Sequence, residues 1–123
     1  MLKVHAKRLG TVAILCLQGR VVQGEIATLH NAVLSQSEVS AVVLDLARVS
    51  TIDAGGLGAM LELRKQTESR GIAFKLVNVT KLVSRLLEIT RLNSVFEITS
   101  GAEILSASSY GQPASMRQLP SCA

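Results

Sequence analysis

The sequence predicts an α/β fold in a single domain: one mixed β-sheet packed with about four helices. Three observations carry this. The apolar runs Val12 to Leu17 and Ala41 to Leu46 are almost unbroken, as in strands covered on both faces. Segments between and after them place apolar residues at helical spacing. The links between these segments are short, so a strand, helix and strand in succession make a βαβ unit with parallel strands.

The elements follow in order. Lys3 to Arg8 and Thr11 to Gln18 read as two strands around Gly10, a link short enough to demand an antiparallel hairpin. Gly24 to Ser35 carries Ile26, Leu29, His30, Val33 and Leu34, the stripe of an amphipathic helix. Ala41 to Leu46 is a central strand. Asp53 caps a second helix that runs to about Ser69 and stops at Gly71, with Leu57, Met60 and Leu61 turned inward. Ala73 to Val79 is a further buried strand. Thr80 caps a third helix with Leu82, Val83, Leu86 and Leu87 facing in, and Phe96 to Thr99 is a short strand. Ser100 and Glu103 have the spacing of a capping box for a last short helix. From about Ala107 the chain is rich in Ser, Gly and Pro without periodicity, which predicts a domain over 1–106 and a flexible tail over 107–123.

A chain of 123 residues suits one domain, large enough to bury about two-thirds of its unfolded surface without disulfide or metal staples. With aromatics at 2% and no Trp, the core is aliphatic, and no platform for stacking single-stranded bases is evident. The net charge of +4 comes from basic residues spread along the chain, which reads as a solvated surface rather than a nucleic-acid or membrane patch. Cys16 lies in an apolar run and Cys122 near the end, with neither metal-site nor redox-pair spacing, as expected of a reducing cytoplasm. Charged residues at Lys3, Lys7 and Arg8 break any signal-peptide segment, and no apolar run approaches the roughly 20 residues of a membrane span.

The most informative stretch is Asp45 to Leu61, a strand leading into a helix. Three of the four residues from Gly55 to Gly58 are glycine, although an interior glycine costs a helix roughly 1 kcal/mol relative to alanine. Something must come close to this backbone, from inside the fold or from outside. A helix N-terminus after a strand can hold phosphate. However, Ala59 and Met60 follow Gly58 where a Walker loop needs Lys and Ser or Thr, and no Gly-x-Gly-x-x-Gly pattern is present. The remaining readings are tight helix–sheet packing and a smooth, donor-rich docking surface.

This stretch resembles the signature of the STAS family, the domain of bacterial anti-sigma factor antagonists. In that family the helix opens Asp-Ser-Ser-Gly-Leu-Gly, and the matching residues here are Asp53, Ala54, Gly55, Gly56, Leu57 and Gly58. The resemblance spans roughly residues 2–106 and includes Val83-x-x-Leu86-Leu87-Glu88-Ile89-Thr90-x-Leu92 and the following Val95-Phe96-Glu97-Ile98. Two departures matter. The family's phosphate acceptor, its second serine, corresponds to Gly55, which has no hydroxyl. The acid of the family's Gly-x-Leu-Asp-like turn is replaced by Val22 in Gly19-Arg20-Val21-Val22.

The resemblance implies a cytoplasmic, non-catalytic binding protein whose partner is an anti-sigma factor with a histidine-kinase-like ATPase fold, captured so that a sigma factor is freed. It implies no cofactor, metal, direct nucleic-acid contact or membrane insertion. The expected partner surface is the loop residues Ser50, Thr51 and Asp53 with Ala54, Gly55, Gly56, Leu57 and Gly58. Asp53 is expected to act first as the helix cap. Ser50 and Thr51 are the nearby hydroxyls that could take a modification in place of Gly55. His30 reads as the edge of an apolar stripe, and His5 has no partner in sequence. The chain shows no nucleophile elbow, Ser/His/Asp order or metal cluster. The alternatives are a STAS subunit of a transporter or larger signalling assembly and a small nucleotide-binding domain.

Overall fold

The computed structural model describes residues 1–100. The strands are β1 (Lys3–Leu9), β2 (Val12–Val21), β3 (Ala41–Ile52), β4 (Ala73–Val77) and β5 (Glu97–Ile98), and the helices are α1 (Ile26–Leu34), α2 (Ala54–Ser69) and α3 (Lys81–Ile89). Short 3₁₀ turns occupy Gln23–Glu25 and Leu92–Ser94. The five strands form one sheet in chain order; β1 and β2 are antiparallel and every later pair is parallel. The order follows from the connections. A two-residue link between Leu9 and Val12 permits only a hairpin, and each later step carries a crossover of helix or 3₁₀ structure and moves one strand along.

All three helices pack on one face. Leu29 and Val33 of α1, Met60 and Leu63 of α2, and Val83 and Leu87 of α3 share a cluster with Leu15, Leu44, Phe74 and Leu76 of the sheet. The alternate residues Val12, Ile14, Cys16, Ala41, Val43 and Val77 form a second cluster on the other face. Burial on both faces is why Val12 to Leu17 and Ala41 to Leu46 are apolar without alternation. The core is aliphatic, with Phe74 and Phe96 making a tilted ring contact at 6.2 Å between centroids.

Several expectations are corrected. Three α-helices stand among the described residues rather than about four. The fourth, expected to open at Ser100, and the tail over 107–123 lie outside the described residues apart from Ser100 itself. The first helix starts at Ile26, because Gln23–Glu25 forms a 3₁₀ turn. The second strand continues through Gly19 to Val21, where a turn was expected. Gly19 has φ +112°, and a Cβ there would strike the carbonyl of Met1, so only glycine continues the strand at this point. The third strand runs to Ile52, so Ser50 and Thr51 belong to a strand and not to a loop.

On α2 the buried positions include Met60, Leu63 and Thr67, while Leu61 is only half-buried. Adjacent helical residues differ by about 100° in direction, so Leu61 cannot share the face of Met60. The same geometry turns out Leu82, which is 50% exposed beside fully buried Val83. The helix caps behave as expected: the Thr80 hydroxyl oxygen accepts from the Val83 N–H at 3.3 Å, and α2 ends before Gly71.

Candidate functional site

The candidate site is the C-terminal edge of the sheet, where β3 passes through Asp53 into α2. Ile52 is buried and anchors the end of β3, while Asp53 is exposed with extended backbone, the geometry of an N-cap. Its carboxylate accepts twice, from the Gly56 N–H at 2.8 Å on Oδ1 and from the Gln23 N–H at 3.1 Å on Oδ2. Its own N–H donates to the Val21 carbonyl at 3.2 Å. One residue thus joins the end of β2, the 3₁₀ turn and the first turn of α2. The Gly56 N–H does most to hold the Asp53 carboxyl below its ordinary value. The Gln23 N–H adds to this, followed by smaller effects of the Gly55 N–H and the Arg20 charge.

The three glycines differ in what surrounds them. A Cβ on Gly56 would run into the backbone carbonyl of Val21, so this glycine lets α2 approach β2. A Cβ on Gly55 would meet the side chain of Gln23, a flexible group at the surface. A Cβ on Gly58 would meet nothing within 4 Å. Internal packing therefore explains Gly56, and Gly58 is left bare on an exposed helix surface.

The expected site residues are divided by this geometry. Ser50, Asp53, Ala54 and Gly58 are exposed and Thr51 and Gly55 half-buried, all near one edge, while Gly56 and Leu57 are buried behind them, Leu57 as part of the helix-side core. The Ser50 hydroxyl donates to the Gly19 carbonyl at 3.1 Å. Val22, standing where the family turn carries an acid, is half-buried and accepts the Glu25 N–H at 2.9 Å through its carbonyl.

Sequence reasoning missed Gln23. Its backbone holds Asp53 and its side chain lies over Gly55, yet 30 residues separate it from Asp53. No local pattern could signal this contact, because it depends on how β2 and β3 align.

His30 is half-buried on α1, with Nε2 buried and without a hydrogen-bond partner among the described residues. Among the described residues no group of three or more His, Cys, Asp or Glu is arranged to hold a metal ion. No described helix is long and apolar enough to cross a membrane.

The model of the STAS domain family matches residues 3–103, and the chain belongs to that family. Among solved structures, it is similar to a Thermotoga maritima protein assigned as an anti-sigma factor antagonist. That match has a TM-score of 0.75 and 23% identity and covers 86% of this chain and 94% of that one. An anti-sigma factor antagonist from Mycobacterium paratuberculosis matches with TM-score 0.75 and 17% identity over 89% of this chain and 95% of that one. A sulfate transporter family protein from Wolinella succinogenes matches with TM-score 0.67 and 23% identity over 85% and 90%. At these identities the likeness establishes the fold.

The glycine environments lead to opposite mutational outcomes. Gly58→Ala should stabilise the protein by about 0.5–1 kcal/mol, since the added methyl has room and alanine favours helix. Gly56→Ala should destabilise it by about 1–3 kcal/mol through forced separation of α2 from β2. Urea denaturation of both variants checks the pair; similar changes in both would refute the assignment.

Asp53 also makes a pH prediction. Its folded-state pKa is depressed, so its stabilising effect is present above the unfolded carboxylate range and is lost as pH falls through the folded value. Asp53→Asn keeps a capping side chain but removes the charge. The variant should be less stable than wild type near neutrality, and the gap should close on acidification. Denaturation curves at about pH 7 and about pH 3 measure it; a gap that widens in acid would contradict the geometry.

Proposed function

We propose that this protein regulates by binding: it captures an anti-sigma factor with a histidine-kinase-like ATPase fold and thereby releases a sigma factor. The observation that carries this reading is the Asp53-capped turn that leaves Ala54 and Gly58 exposed at the sheet edge, on a fold shared with anti-sigma factor antagonists. The docking surface comprises Ser50, Thr51, Asp53, Ala54, Gly55 and Gly58, with Gly56 and Leu57 holding its shape from behind. The mechanism is steric and electrostatic, with no catalytic step. Bare backbone at Gly58 lets a partner approach closely, and the carboxylate of Asp53 stays ionised and aligned by two backbone N–H groups.

Phosphate at the family position would add about −1.5 to −2 charge and repel the partner. Gly55 removes that control, and the Gln23 side chain covers the spot. Control then rests on abundance, on another site or on competition among partners. Nucleotide binding at the glycine turn is disfavoured, since the Gly56 N–H is already used by Asp53, whose carboxylate would repel a phosphate. A transporter-associated role is the second reading, favoured by the similarity to the Wolinella succinogenes protein.

Gly55→Asp tests the surface. The new side chain displaces only that of Gln23, and a carboxylate in the first helical turn is tolerated. The variant should fold, by circular dichroism, yet bind an anti-sigma partner at least about tenfold more weakly, a loss of about 1.4 kcal/mol. Glu68→Ala, an exposed change at the far end of α2, is the control and should bind as wild type. A folded Gly55→Asp protein with unchanged affinity would remove the glycine turn from the interface.

Phosphorylation is the companion test. Incubation with ATP and anti-sigma kinases should leave the described site unmodified on mass-spectrometric mapping. Stoichiometric phosphate on Ser50 or Thr51 would mean that the acceptor has moved by a few residues and that the switch survives.

A further inference from the structure

The basic residues are scattered in sequence, but the sheet gathers three of them. Strands β2 and β3 pair regularly from Val12 beside Ala41 to Cys16 beside Asp45. Two register shifts follow, at Cys16/Gln18 and Gly19/Arg20, each adding one residue to β3. On unbroken alternation Arg48 and Ser50 would follow Leu44 and Leu46 onto the helix-covered face. The shifts instead place Val49 and Ile52 there, both 4% exposed, and leave Arg48, Ser50 and Thr51 for the other face.

A row Lys3–Gln18–Arg48 thereby crosses β1, β2 and β3, with Arg20 beside Thr51 in the next row toward the edge. Directly opposed residues on a sheet face are only about 5 Å apart at Cβ. Lys3, Gln18, Arg20 and Arg48 are exposed, and none of the three cations forms an ion pair among the described residues.

We infer that this row is a second half of the binding surface and takes an acidic segment of a protein partner, its carboxylates received by Arg20 and Arg48 with Lys3 and Gln18 flanking. The inference rests on the reading of this edge as a protein-docking surface, though not on which protein docks. Guanidinium groups match carboxylates in bidentate geometry. The row meets the glycine turn at the sheet edge: Arg20 pairs with Thr51, and the next residue, Val21, accepts the Asp53 N–H. The Asp53 carboxylate beyond the end of the row interrupts the positive charge, which suits a mixed protein surface better than the uniform polyanion of a nucleic acid. No aromatic residue lies in the row to stack a base. Leu82 and Ile89, the exposed apolar side chains of α3 that could enter a lipid surface, lie on a helix packed against the opposite face.

The test uses the isotope-labelled full chain and an oligoglutamate peptide, followed by NMR, with an oligolysine peptide as control. Saturable shifts should centre on the amides of Gln18, Arg20, Arg48 and Thr51 and fade as salt rises. The double change Arg20→Glu, Arg48→Glu should weaken binding at least tenfold, while Arg20→Lys, Arg48→Lys, which keeps the charge without the bidentate fork, should fall between that variant and wild type. Shifts centred on Lys81 and Arg85 of α3, or an affinity indifferent to the double charge reversal, would overturn the proposal. So would binding of phosphatidylglycerol vesicles at these residues in place of the peptide. Because the peptide asks nothing of an anti-sigma factor, its success beside an unaffected Gly55→Asp variant would retain the acidic-segment site and discard the glycine-turn interface.

Discussion

The candidate edge depends on how closely the first turn of α2 approaches the end of β2. Gly56 makes the approach possible, because any Cβ there would occupy the place of the Val21 carbonyl. That carbonyl accepts the Asp53 N–H, and the Asp53 carboxylate then bridges Gly56 and Gln23. These contacts fix the direction of α2 as it leaves β3, and with it the placement of Met60 and Leu63 over the sheet. A site at the end of a parallel strand is positioned by rigid elements on each side, which suits recognition without a moving part.

The chain has the scaffold of the STAS family with no hydroxyl at Gly55. Gly55 leaves no acceptor, and Val22 contributes no charge near it. The side chain of Gln23 fills the space. The positive charge on the neighbouring sheet face, at Arg20 and Arg48, has no counterpart in a phosphate-controlled reading of the turn. On the proposed function, recognition is weighted toward fixed charge and shape.

The element order and the βαβ pattern were legible because both are written in local signals: apolar runs, capping residues and short links. Thr80, Asp53 and the stop at Gly71 fall where their chemistry placed them. The length of β3 was not legible in the same way. After Leu46 the buried positions are Val49 and Ile52, three residues apart instead of two, and each widening marks one register shift. That spacing matches neither strand nor helix period, so Ser50 and Thr51 read as loop. Gln23 was invisible for a different reason: its role comes from strand alignment across a long sequence separation. The distinction among the three glycines is also a tertiary fact, since Gly55, Gly56 and Gly58 face Gln23, β2 and open solvent in turn.

The two ends of the sheet limit what else can add to it. Among the described residues, β5 on one side offers only two residues of main chain, too short a template for another strand. On the other, β1 presents seven residues, among them Lys3, Lys7 and Arg8. A second copy pairing along β1 would bring like charges together across the new seam. A sheet built of strongly apolar strands therefore stays finite: one border is curtailed, and the other is guarded by repulsion between identical chains.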